Sequence, residues 1–261
     1  MHWARAGLEP APTDIFIMIA KTRAIVLKSF DFRETSRIAV FFTEEHGKVT
    51  GILKGIRKDP RKFSTSLDRY SLNEILYYRH SSSDIHLVGH CDQMEVFTKI
   101  RDEYKKMTAS YYGLELVDKI MPVEQANPDV FRLMLDYIRS LETSEDTDRL
   151  VHLFQIKILS LSGFRPFLDC CVQCEKKVSG PVRFSLNAGG LICVNCPTTQ
   201  GADQSVISQG TIATLLRMEE MPWEQSLRTG LMPTTRKELK YLLNNFLVYH
   251  LERKIHAAVY L

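Results

Sequence analysis

From Met18 to about Phe97 the apolar positions repeat every second residue, the period of half-buried strands. Ala24-Ile25-Val26-Leu27 is a short apolar run, and Ile38, Val40 and Phe42 alternate between Arg37 and Thr43. Lys48 to Leu53 follows the turn Glu45-His46-Gly47. Leu72, Glu74, Leu76 and Tyr78 alternate through Tyr70 to Arg79, Ser81 to Asp84 breaks the pattern, and Ile85 to Val88 resumes it. Five short strands with turns at 31–34, Gly47, 59–66 and 81–84 predict a five-stranded barrel of the OB type. An SH3-like barrel would give much the same pattern.

From Lys99 the period lengthens. Tyr104, Met107, Tyr111, Leu114, Leu116 and Val117 fit a helical stripe. Asn127-Pro128 is an N-cap followed by proline at the first helical position, opening a helix through Leu141. Glu142 to Asp148 reads as an acidic loop, and Leu150 to Leu161 as a helix ended by Gly163 and Pro166. Ser208 caps a further helix, and Thr235 with Glu238 forms a capping box for a last one through about His256. Its apolar positions are Leu239, Leu242, Leu243, Phe246, Leu247 and Leu251. The chain is therefore expected to be α+β: a barrel over 18–97, a helical domain over 98–168 and 203–261, and an inserted zinc-finger-like cysteine module over 169–202. Residues 1–17 read as a disordered extension, with Met18 as a natural start.

Composition narrows the class. Apolar residues make 44%, charged residues 25% and aromatics 10%, which excludes a disordered, collagenous or coiled-coil chain. The net charge of +3 is mild, so a role with polyanions must rest on local clustering. No apolar run reaches membrane-span length, and Ile15 to Ala20 is too short for a signal-peptide core. The expected location is cytoplasmic, where thiols stay reduced, so six cysteines ask for a metal or a redox explanation.

Cys171-Val-Gln-Cys174 and Cys193-Val-Asn-Cys196 supply one, with 18 residues between the two pairs. Two tight turns that each aim two thiolates at one point complete a tetrahedral four-thiolate shell for a single structural Zn2+. Cys170 stands as an alternative to Cys171, and Cys91 as a buried strand residue. A redox CxxC would need a βαβ setting that is not visible, while iron–sulfur ligation uses the same four thiolates. His250-Leu-Glu252 mimics half of a zinc deaminase motif but has no Pro-Cys-x-x-Cys after it, and reads as helix surface.

Lys48 to Arg69 holds seven cations against Asp59 and Asp68. Lys54, Arg57, Lys58, Arg61 and Lys62 crowd the connection between the third and fourth strands, with Arg33 and Arg37 near the first turn. Such a loop on a barrel rim neutralises phosphates and releases counterions. Phe30, Phe32, Tyr70, Tyr77 and Tyr78 are candidates to stack on bases, against the ordinary reading as sheet packing. His46, His80, His86 and His90 read as turn or strand residues. No GxxxxGK[ST], GxGxxG, HExxH or GxSxG motif occurs, and no pair of carboxylates stands out; on the residues alone an enzyme with an unrecognised site stays open as a third reading, behind the expectation of a protein that is not an enzyme.

Several of these segments together resemble the bacterial RecO family of recombination mediators. They are Lys21 to Leu27, the segment Gly51 to Gly55 with its basic run, Gly163-Phe-Arg-Pro166 before the first cysteine pair, and Phe184-Ser185…Gly189-Gly190 before the second. The resemblance spans roughly 18–257; residues 1–17 and the doubled Cys170-Cys171 depart from it. It implies a non-enzymatic role in DNA repair by homologous recombination. It also implies binding to single- and double-stranded DNA, annealing of complementary strands, and work with RecR. Further implied are contact with the C-terminal tail of single-strand-binding protein, indirect assistance in loading the RecA filament, and association with the nucleoid. Some members lack the zinc cysteines, so the metal is expected to support the fold rather than the DNA activity. A tail rich in acids and aromatics wants an apolar groove with a basic rim, for which Arg132, Arg139, Lys237 and Lys240 are candidates. The competing reading is a zinc-ribbon scaffold that assembles proteins or RNA and has little affinity for DNA.

Overall fold

The computed structural model describes residues 17–59, 63–65, 67–80, 83–180, 182–197, 204–251 and 255–260. Strands β1 (Ile17–Phe32), β2 (Ser36–Thr43), β3 (Gly47–Leu53), β4 (Ser71–His80) and β5 (Ile85–Val96) close into a barrel in the order β1-β2-β3-β5-β4. All pairs are antiparallel except β3 with β5. β1 serves two neighbours, β4 over Ile17–Ile25 and β2 over Ala24–Phe32, and a bulge at Leu27 bends it between them. Residues 1–16 of the expected extension lie outside the described residues, and Ile17 already belongs to β1.

Alternation sorts the two barrel faces. Val26, Phe41, Val49, Leu53, Ile75 and Cys91 fill the interior. Cys91 is buried as expected, and burial pushes its thiol up to about 12. Gly51 lets the wall close here, since a Cβ would stand 2.5 Å from Val88 Cγ2. Ile25, Leu27, Phe42 and Leu72 face outward into the core of the helical region, where the Phe42 ring lies 6.0 Å from Phe131. Polar ties add to this junction: Asp118 takes Lys28 at 2.9 Å and Lys48 at 3.4 Å, and Glu124 takes the buried His86 at 2.8 Å.

The helical region runs α1 (Lys99–Asp102), α2 (Tyr104–Ile120), α3 (Pro128–Thr143), α4 (Thr147–Leu161), α5 (Gln209–Glu220), α6 (Trp223–Ser226) and α7 (Pro233–Leu251), with a terminal 3-10 turn at His256–Tyr260. Asn127 caps α3 by accepting the Val130 N–H, and Ser208 caps α5 through Thr211, both as the sequence predicts. Tyr137 stacks on Phe154 at 4.4 Å, and Gly113 of α2 makes the room, since a Cβ there would stand 2.6 Å from the Tyr137 ring.

Two expectations need correcting. Of the expected α2 stripe, Leu114, Leu116 and Val117 are buried and Met107 packs against the core, but Ala109 and Tyr112 complete the buried face while Tyr104 and Tyr111 are exposed. Aromatic spacing alone does not tell a core wall from a cavity wall. Thr235 and Glu238 do not form a capping box either: α7 begins at Pro233, and Glu238 reaches across to the N–H and hydroxyl of Ser208 at 2.9 and 2.8 Å. The carboxylate that a local pattern assigns to one helix start completes the cap of another.

The expected acidic loop is short and structural. Glu142 accepts the N–H groups of Lys99 and Ile100 at the start of α1, and Asp146 caps α4. Both Asp146 carboxylate oxygens bond the Arg236 guanidinium, at 2.8 and 2.6 Å, tying α4 to α7. The Arg236 bonds, with the Arg149 N–H, hold the Asp146 carboxyl down at about 2. A depressed carboxyl stabilises the fold above its ordinary value of 3.8 and loses that contribution as pH falls toward 2. Asp146→Asn keeps a capping oxygen and removes the charge. It is expected to cost about 1 kcal/mol near neutral pH, allowing for solvent at this one-third-exposed pair. In thermal melts the gap from wild type should close between pH 4 and pH 2; a pH-independent gap would remove the ion pair as its cause.

Candidate nucleic-acid interface and metal centre

The five described members of the predicted basic set meet at one end of the barrel. The β1–β2 turn brings Arg33, at a φ of 52°, beside the segment that follows β3. That segment turns on Gly55, at a φ of 80°, whose carbonyl accepts the N–H groups of Lys58 and Asp59. It then folds back on the tip: the Arg57 N–H bonds Thr35 O at 3.0 Å and its guanidinium bonds Arg33 O at 3.1 Å. Asp31 receives both Arg37, at 3.1 Å, and Arg57, at 3.5 Å. Arg33, Arg37, Lys54, Arg57 and Lys58 outnumber Asp31, Glu34 and Asp59 here, which leaves the tip positive. Arg33, Lys54, Arg57 and Lys58 are exposed and Arg37 half-buried. Arg61 and Lys62 lie outside the described residues.

The aromatic candidates divide. Tyr70 and Tyr77 are buried and Tyr78 is half-buried, so the first two are packing residues. Phe30 is 49% exposed on the outer face of β1, and the Arg33 guanidinium lies 5.2 Å from the Phe32 ring centroid. Asp31 is not readable from the sequence as a site residue, because its two arginines come from beyond its own strand.

The cysteine module is a three-stranded sheet, β6 (Val182–Ser185), β7 (Gly190–Cys193) and β8 (Gln204–Ile207), in the order β7-β6-β8. β8 extends it past the expected boundary at residue 202. Val182, Phe184, Leu191 and Ile207 seat the sheet in the helical core. The Cys171–Cys174 turn docks on β7 through Val172 N–H to Leu191 O at 2.8 Å, and Cys193 closes β7 before the turn to Cys196. All four Sγ atoms lie within 4.8 Å of one another, with Cys171–Cys196 and Cys174–Cys193 both at 3.8 Å. A metal–sulfur bond of about 2.3 Å requires tetrahedral edges of about 3.8 Å, so this donor set fits one soft divalent ion. Burial works against ionising Cys171, but the N–H groups of Cys193, Gln173 and Cys174 outweigh it and bring the thiol down to about 6. Cys196, sharing hydrogen bonds with the Cys193 and Cys174 sulfurs, goes up to about 12. Cys170 is half-buried and stands outside the cluster.

The family profile described as Recombination protein O N terminal matches residues 18–97, and that described as Recombination protein O C terminal matches residues 101–258. The chain belongs to the RecO family. The two RecO matches part at the hand-over from β5 to α1, so the basic tip falls in the N-terminal match and the four-cysteine cluster in the C-terminal one. Curated relatives agree over nearly the whole length. The DNA repair protein RecO of Syntrophus aciditrophicus is 31% identical over 91% of this chain and 93% of its own. Those of Pelotomaculum thermopropionicum and Moorella thermoacetica are 28% and 26% identical, each over 92% of this chain and over 93% and 90% of their own. Among the described residues no helix is long and apolar enough to cross a membrane.

Of the four candidate rim residues, Lys237 and Lys240 line a groove of about 310 Å³ between α4 and α7, together with Arg236. Asp148, Val151 and His152 form its α4 side. Arg132 and Arg139 sit on α3 away from it, beside Asp129 and Glu95. His152 is buried and bonds Gln155, which bonds Tyr112 and Asn244, so the groove wall is held by a connected polar network.

Proposed function

We propose that this chain is a non-enzymatic DNA-binding mediator of repair by homologous recombination, and that its barrel is of the oligonucleotide-binding type. The observation that carries this reading is the positive tip, where Arg37 and Arg57 share one carboxylate and Arg33, Lys54 and Lys58 stand exposed around them. Arg61 and Lys62 extend the same segment in the sequence. Phosphate contacts carry no sequence information, so the tip holds single- or double-stranded DNA without reading it. It leaves the base edges free, which lets two complementary strands gathered on one cationic surface pair with each other.

Cys171, Cys174, Cys193 and Cys196 hold one Zn2+, whose four thiolate bonds close its shell and crosslink the module without offering a reactive position. The α4–α7 groove receives the tail of single-strand-binding protein, its acids meeting Lys237 and Lys240 and its apolar end meeting Val151. RecR joins the working complex, and strands delivered this way become available to RecA.

The test is binding of a labelled single-stranded oligonucleotide across a salt series. Three to five phosphate contacts predict that the logarithm of affinity falls with the logarithm of salt at a slope of about −2 to −3.5. Salt-independent binding, or a preference for structured RNA, would favour a scaffold role instead.

A further inference from the structure

Where β1 meets α2, the barrel and the helical region leave a cavity of about 430 Å³ lined by none of the basic tip residues or the clustered cysteines. Its floor is apolar, with Leu27 from β1 and Leu114 from α2. Its walls include Tyr104 and Tyr111, two tyrosines of α2 outside the helical core, 62% and 38% exposed. The Arg69 guanidinium lies 4.8 Å from the Tyr111 ring centroid, and among the described residues no carboxylate pairs with it. The two acids in the cavity are already answered. Asp118 holds Lys28 and Lys48, and Glu115 holds Lys119 and the N–H groups of His256 and Ala257.

Flat π faces over an apolar floor, beside a cation that pairs with no carboxylate among the described residues, suit one kind of guest: an aromatic ring that carries a negative group. The volume is that of a small-ligand pocket. A route to it also exists. After the bulge at Leu27, the outer face of β1 carries Lys28, Phe30 and Phe32 at period two, and Phe32 meets Arg33 at the tip. Lys28 lines the cavity at the other end, about 13 Å along the strand. An exposed Phe30 and a half-buried Phe32 leading from the cationic tip to the cavity fit the pattern of a single-strand track.

We propose that this cavity is a nucleotide site for single-stranded DNA, in which a base stacks on Tyr104 and Tyr111 while its phosphate meets Arg69, the strand running over Phe30 to the basic tip. The proposal rests on the reading of that tip as a DNA surface and adds a second, stacking station to it.

The experiment compares full-length variants for binding of a labelled oligothymidylate and for photocrosslinking to the same strand carrying 5-iodouracil. Tyr104 is exposed enough that Tyr104→Ala leaves the core intact. It should bind roughly tenfold more weakly at an unchanged salt slope, because stacking rather than charge is lost. Tyr104→Phe should bind as wild type. Arg69→Ala should lower the salt slope by about 0.7. Crosslinks should map to Tyr104 or Tyr111. If Tyr104→Ala and Arg69→Ala bind as wild type while Arg57→Ala with Lys58→Ala binds weakly, the cavity site is overturned and the tip stands. If all of them bind as wild type, the tip reading falls as well.

Discussion

Replacing Arg57, Lys58 and Arg61 together by alanine is expected to weaken binding of single-stranded DNA about a hundredfold at about 0.1 M salt. The magnitude follows from counterion release. Without three cations to neutralise phosphates of a single strand, the salt slope falls by about 2, and at about 0.1 M that slope is worth two decades. Arg57 also bonds Arg33 O and Asp31, so its removal loosens the fold-back of the tip. Those bonds are exposed, each worth a fraction of a kcal/mol. The variant should therefore melt within a few degrees of wild type while its binding curve flattens against salt. Weaker binding with an unchanged slope would mean that the three cations do not touch phosphates.

Cys171→Ser is expected to lower bound zinc from one ion per chain to well under half and to lower the melting temperature by about 10 °C. Cys171 is the buried member of the cluster, and its sulfur also accepts the Cys193 N–H at 3.4 Å. A serine hydroxyl there neither ionises near neutral pH nor suits the metal, so three thiolates remain and affinity collapses. The module does not melt alone, because Val182, Phe184, Leu191 and Ile207 belong to the helical core. A destabilisation of about 3–5 kcal/mol at about 2–4 °C per kcal/mol gives the shift. The barrel interior is a separate apolar cluster, so DNA binding at low temperature should survive the substitution. Full zinc content in this variant would hand the fourth ligand to Cys170 or to another donor.

Much of this arrangement is legible in the sequence because its signals are local. The cysteine spacing sets two turns, and the turns set the cluster. The strands β2, β3 and β4 follow from alternation over a few residues. β1 and β5 run well beyond their apolar runs, to Ile17 and to Val96. Their extra length carries Lys21 and Arg23, the latter opposite Glu74, and the exposed Met18, Ile19 and Met94, which read as surface rather than strand. What the chain hides is who meets whom across distance. Glu238 has the spacing of a partner for Thr235 and caps Ser208 instead. Asp31 has the setting of a turn acid and holds two arginines from neighbouring segments. Tyr104 and Tyr111 keep helical spacing yet wall a cavity, because α2 is flanked by the barrel on one side and by α3 and α4 on the other.

The most direct measurement is the annealing rate of two complementary single strands precoated with the cognate single-strand-binding protein, with and without this protein, at low and moderate salt. The account predicts faster annealing on coated strands, diminishing as salt rises. No acceleration, with naked strands left unbound, would contradict it.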